Sequence, residues 1–160
     1  MLRRAVVMAF GFIVAAGCGA MFLPVAALVD PATRDAGAVA AMAGFFAFFN
    51  EAMDGGAPGA TLAALGFALY AIVIAVCVAP LAAAALIGEL AHVRSLAWYS
   101  GASGFLAAAS PWIARAARGL DPARRANPLE ARIALLFFLA GALTGAIYWL
   151  IAGRAPQARR

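Results

Sequence analysis

The sequence has few of the residues that carry out chemistry. Among its 160 residues there are two cysteines, one histidine and no lysine, and only 12% of the residues are charged. Soluble domains carry roughly 25% charged residues. Because 66% of this chain is hydrophobic and its mean hydropathy is +0.94, an ordinary soluble domain is excluded. No serine, histidine and aspartate set, CxxC pair or glycine-rich phosphate loop is present, so we expect neither an enzyme nor a bound cofactor.

The positive charge of the chain comes from arginine alone. Twelve arginines against seven acidic residues give a net charge of +5. A small basic protein suggests nucleic acid as a partner, but most of these arginines flank apolar runs, where they meet lipid headgroups instead. We therefore expect membrane lipids, and no nucleic acid, as partners. Arg118, Arg124 and Arg125 share one loop and are candidates for headgroup contact, although a solvated loop explains them better.

Several uncharged runs are long enough to cross a bilayer. About 20 apolar residues in a helix span the roughly 30 Å hydrocarbon core. We therefore predict an all-α integral membrane protein, a single membrane domain over residues 1–160. Its predicted spans are about 5–29, 60–87, 95–114 and 130–152.

Two of these spans have unusual features. The run 95–114 is less apolar, and we favour a span because arginines flank it and tryptophans lie near both ends. A re-entrant or surface segment is the alternative. In the span 60–87, Pro80 lacks the N–H that would bond to the carbonyl of Val76, so we expect a kink or tilt there.

Between the first two spans lies a shorter apolar stretch. Residues 36–49 are too short to cross the membrane, and they lead into polar residues. We predict a short amphipathic helix over about 36–53, lying in the interface or packed across the other helices. Its apolar face has helical spacing and consists of Met42, Phe45, Phe46, Phe49 and Met53.

The beginning of the chain resembles a processed signal. Residues Ala15 to Cys18 resemble a weak lipoprotein cleavage box, but the apolar run continues for about ten residues past Cys18, so we expect a retained anchor. The arginines divide six against six between the two sides and do not fix the orientation. The acidic loop after the first span favours a cytoplasmic N-terminus. The alanine-rich, lysine-free composition is typical of a GC-rich bacterial genome, which indicates the bacterial inner membrane.

Small residues recur every four positions within three of the spans. In lipid, helices associate through close packing, which small residues permit. The stripes serve packing within one bundle, or alternatively an oligomer or partner interface. They are Gly11, Ala15 and Gly19; Ser100, Gly104 and Ala108; and Gly141 with Gly145.

The sequence offers little support for metal binding or transport. Glu89 and His92 form an E-x-x-H pair, but a di-iron bundle needs two such motifs and further glutamates, so we expect a solvated helix end and no metal. No charged residue falls near the middle of a predicted span, which disfavours a proton-coupled carrier. We expect a structural, accessory or assembly component. The alternative is a small transporter, channel or permeability factor.

Overall fold

The computed structural model describes residues 2–54, 59–119 and 127–153, with side chains from residue 5 onward. Every regular element in those ranges is a helix. We label them α1 (Leu2–Val29), α2 (Pro31–Met53), α3 (Gly59–Leu90), α4 (Leu96–Ala117) and α5 (Pro128–Gly153). Helix α3 contains a π-helical segment, Ile74–Val78, and α5 ends in another, Trp149–Gly153.

Local sequence signals explain where several helices begin. The Asp30 side chain accepts a hydrogen bond from Thr33 N at 3.0 Å, which caps α2, and Pro31 follows it. At α5, the Asn127 side chain accepts from Leu129 N, and the Glu130 carboxylate accepts from Asn127 N at 3.0 Å. Together these two hydrogen bonds form a capping box, for which asparagine at 127 and glutamate at 130 are the sequence signature.

Helices α4 and α5 form the most closely packed pair. They run antiparallel, so the start of α4 faces the end of α5 and the end of α4 faces its start. The facing pairs along the two helices are Tyr99 with Gly145, Ser103 with Gly141, and Arg115 with Glu130.

Helix α1 and the second half of α3 complete a four-helix bundle. Helix α1 is antiparallel to α5, since Gly11 lies against Ile151 and Asp30 bonds to Arg132. The core of the bundle has two clusters of buried side chains. One contains Ala15, Leu81, Ala85, Tyr99 and Tyr148, and the other contains Val76, Cys77, Ala107 and Ala140.

The bundle has two polar ends. At the first, which we call the Asp30 end, α1, α4 and α5 are joined by the pairs Asp30–Arg132 and Arg115–Glu130. At the second, the Arg94 end, the Trp149 indole donates to the Arg94 carbonyl at 2.8 Å. Helix α4 runs between these ends. Its 22 residues correspond to about 33 Å, which matches the hydrocarbon thickness of a bilayer.

Helix α2 and the first half of α3 lie outside the bundle. Residues 59–73 contain no buried side chain, and α2 buries only Thr33. The two segments contact each other, since Thr61 donates to the Glu51 carboxylate and a Cβ on Gly44 would lie 3.6 Å from Leu65. We call residues 31–53 and 59–73 the α2–α3 arm.

The candidate spans differ from the sequence predictions at two helices. Among the described residues, four helices are long and apolar enough to cross a membrane by length and composition, namely α1, α2, α3 and α5, with mean hydropathies of 2.3, 1.3, 2.6 and 2.1. Helix α2 is therefore not too short, because its cap at Asp30 starts the helix well before residue 36. Helix α4, the predicted span 95–114, is not among the four, because serine, glycine and aromatic residues lower its hydropathy.

The apolar face of α2 is exposed, whereas the apolar face of an amphipathic helix packed on a bundle would be buried. The methionine and phenylalanine side chains of this face are 50–72% exposed. They are Met42, Phe45, Phe46, Phe49 and Met53.

Helix α3 passes through Pro80 without ending. The π-helical segment precedes the proline. At its end, Ala79 N donates a hydrogen bond to Ile74 O, five residues earlier, in place of the regular α-helical bond to the residue four positions earlier. A π-bulge rearranges the hydrogen bonds near a residue that cannot donate one. The 32 residues of α3 correspond to about 48 Å, so the helix is longer than the hydrocarbon core.

Candidate functional site

The contact between α4 and α5 is made by backbone. A Cβ on Gly141 would lie 2.5 Å from the Ser103 carbonyl oxygen and 2.7 Å from the Cβ of Ala107. A Cβ on Gly145 would overlap the carbonyl of Tyr99. Because neither position has room for a side chain, both glycines set the distance between the two helices.

A second close contact joins α1 to the bundle centre. Gly19 faces Thr144, and a Cβ there would also lie 3.1 Å from the Cys77 sulfur. Thr144 is fully buried, and its hydroxyl donates to the Gly141 carbonyl at 2.7 Å. This places three small or polar residues of different helices, Gly19, Cys77 and Thr144, at one level of the bundle.

The other predicted packing residues have different surroundings. Ala15 is fully buried, and a Cβ on Gly11 would lie 3.2 Å from the Ile151 side chain. A Cβ on Gly104 would lie 3.0 Å from the Phe138 ring. Ser100 and Ala108 are half-buried, and the Ser100 Cα lies 2.9 Å from the position of a Cβ on Gly145.

One close contact was missed in the sequence. A Cβ on Gly88 would lie 2.8 Å from the Tyr99 hydroxyl and 3.0 Å from the Trp98 indole nitrogen. That indole donates to the Ala84 carbonyl at 3.2 Å. The four-residue spacing of Ala84 and Gly88 is the same signal that identified the other stripes, and it would have indicated this contact between α3 and α4.

The Asp30 end gathers charged side chains. The Asp30 carboxylate accepts from Arg132 at 3.0 Å, and it also accepts from the backbone N–H and hydroxyl of Thr33. The Thr33 backbone hydrogen bond is the largest of several causes that hold the pKa of Asp30 below its usual 3.8. Arg118 ends α4 at the same end and is exposed. Arg124 and Arg125, the other predicted headgroup contacts, lie outside the described residues.

The Glu89 and His92 pair lies in the turn between α3 and α4. His92 has a φ of 55°, and Val93 N donates to the Gly88 carbonyl at 2.9 Å, a pattern typical of a helix C-terminus. His92 therefore serves to end α3. The described residues contain no group of three or more histidine, cysteine or acidic side chains that could hold a metal.

Comparison with protein-family models, with curated proteins and with solved structures gives no match for this chain. The features that bear on its function are the close-packed bundle, the charged Asp30 end and the exposed α2–α3 arm.

Proposed function

We propose that this chain is a multi-pass protein of the bacterial inner membrane that acts as a structural or accessory component of a membrane assembly, with its N-terminus in the cytoplasm. The observation that carries the proposal is the division of the chain into a closed bundle and an arm whose apolar surface its own helices leave uncovered. The bundle would be the anchor, and the arm would contact another membrane protein.

The bundle favours an anchor over a carrier. Transport sites usually contain ionisable groups near mid-membrane. In the described part of the four bundle helices, the charged side chains from Asp30 onward lie at the Asp30 end or the Arg94 end. The middle of the bundle is instead filled by close contacts such as Gly141 against Ser103 and Gly19 against Thr144.

The arm has the character of a contact surface. The Phe45 ring stacks on Phe49 at a centroid distance of 6.4 Å and meets Phe46 edge-on at 6.0 Å, which forms an aromatic ridge. Phe67 and Tyr70 of α3 are 71% and 63% exposed. Aromatic side chains provide large contact areas at low entropic cost, and packing drives helix association in lipid.

A purification in mild detergent tests this proposal. We expect a membrane protein to co-purify in stoichiometric amount with the wild-type chain and to be lost from the double variant Phe45→Ala, Phe49→Ala. The matched control is Phe10→Ala, because Phe10 on α1 is 61% exposed, as Phe45 is at 62%.

A partner that still co-purifies after removal of the ridge would refute the arm as its contact surface. A wild-type chain that purifies alone would contradict the accessory role. Solute or ion flux in liposomes that contain only this chain would favour the alternative of a channel or small transporter.

A further inference from the structure

We propose that the groove between α3 and α4 binds one anionic phospholipid, with an acyl chain in the groove and the phosphate at Arg118. This inference rests on the membrane location in the proposed function, and it is independent of the accessory role.

The groove has a volume of about 360 Å³ and is open to the outside of the bundle. One wall is formed by alanines of α3 at four-residue spacing, and the other by α4. The residues of the two walls include Ala75, Ala79, Ala83, Leu106, Ser110 and Ile113. None is charged, so the surface suits a hydrocarbon chain.

The groove exists because α3 and α4 are in close contact at one end and are farther apart at the other. Near the Arg94 end, Gly88 lets Tyr99 and Trp98 pack directly on α3. Towards the Asp30 end, α3 presents the small residues Ala75 and Ala79 beside Pro80, and the two alanines are exposed. The space that a large side chain would fill is left open to lipid.

Among the described residues, a charged side chain adjoins the groove only at its Asp30 end. The groove ends at Ala117, and the next residue, Arg118, is exposed at the end of α4. The C-terminus of a helix carries partial negative charge and disfavours an anion, so the attraction would come from the arginine. Arg118 lies at the same end of the bundle as the Asp30–Arg132 pair, where headgroups meet the protein if the bundle spans the bilayer.

The dimensions favour a lipid chain over a partner helix. Ala75 to Ala83 covers about 12 Å along α3, whereas a membrane-crossing helix needs contact over much of roughly 30 Å. A ligand with a hydrocarbon chain and a single negative group at its end matches the groove and Arg118 together.

Native mass spectrometry of the detergent-purified full chain tests the proposal. The chain is mixed with equal amounts of phosphatidylglycerol and phosphatidylcholine, and retained lipid is counted. We expect the wild type to retain one lipid with a preference for phosphatidylglycerol. Ala79→Leu, an exposed position where leucine would fill the groove, should retain neither. Arg118→Gln should retain lipid but lose roughly fivefold of the preference, the effect of one arginine near a headgroup.

The controls are Ala64→Leu, an exposed alanine on the same helix outside the groove, and Arg34→Gln, an exposed arginine of α2. The proposal is overturned if Ala79→Leu retains lipid as Ala64→Leu does, or if Arg118→Gln keeps the wild-type preference. A wild-type chain that retains both lipids equally also overturns it. Loss of the lipid site with the protein partner still bound refutes this inference alone, and lipid binding without any partner refutes the accessory role alone.

Discussion

Replacing Gly141 with alanine should separate α4 from α5. The added methyl group would lie 2.5 Å from the Ser103 carbonyl oxygen and 2.7 Å from the Cβ of Ala107. A flexible side chain can rotate away from such a contact, but a carbonyl held in a helix cannot. One helix must therefore shift, and the other contacts of the pair loosen with it.

The size of the effect follows from two opposing contributions. Overpacking a tight core costs about 1–3 kcal/mol, and a rigid backbone contact belongs in the upper part of that range. Alanine is favoured over glycine within a helix by about 1 kcal/mol. The net loss is about 1–2 kcal/mol, which corresponds to a decrease in melting temperature of roughly 2–8 °C for a chain of this size.

Gly101 on α4 provides the matched control, because a Cβ there would have no heavy atom within 4 Å. Gly101→Ala should melt at the wild-type temperature or above it. Tryptophan fluorescence during heating in detergent measures both variants. If the melting temperature of Gly141→Ala equals or exceeds that of Gly101→Ala, then a side chain at 141 does not clash with α4, and the argument is refuted.

Three further predictions use the same melting assay. Leu81→Ala should lower the free energy of unfolding by about 2–5 kcal/mol because Leu81 is fully buried. Its control, Leu86→Ala, should change stability little because Leu86 is 64% exposed. Equal losses of stability in the two variants would show that Leu81 does not lie in the core. Ser103→Ala should leave stability unchanged or raise it by about 1 kcal/mol, since its buried hydroxyl has no hydrogen-bond partner among the described residues, and a clear loss would reveal a partner. The pKa of Asp30 is lowered in the folded state, so its contribution is present above pH 3.8 and is lost as the pH falls through the folded value. Wild type should therefore lose more stability than Asp30→Asn between pH 7 and 3, and parallel curves would contradict a lowered pKa of Asp30 in the folded state.

Helix positions were predicted where a local signal marked them. The uncharged lengths predict helices at the places of α1, α3 and α5, and the capping box at Asn127 is a sequence signal for the start of α5. Asp30 and Pro31 are a similar signal for the start of α2, but the prediction of 36–53 rests on the apolar run alone. A helix can include polar residues of its first turn, so the apolar run underestimated it.

The pairing of helices could not be predicted in the same way. Four-residue spacing shows that Gly141 and Gly145 share a face, but it does not show which helix that face meets. The structure shows that the partner helix is α4 and that Gly145 lies opposite Tyr99. The exposure of the aromatic ridge is also a tertiary property, since its spacing is equally compatible with a buried face.

The most direct test of the account is whether the two ends of α4 lie on opposite sides of the membrane. Val93→Cys and Arg118→Cys, each made with Cys18 and Cys77 replaced by alanine, place one thiol near each end. We predict that a membrane-impermeant maleimide labels Arg118→Cys in intact spheroplasts and labels Val93→Cys only after lysis. Labelling of both variants from the same side would show that α4 does not cross, and it would contradict the four-helix membrane bundle.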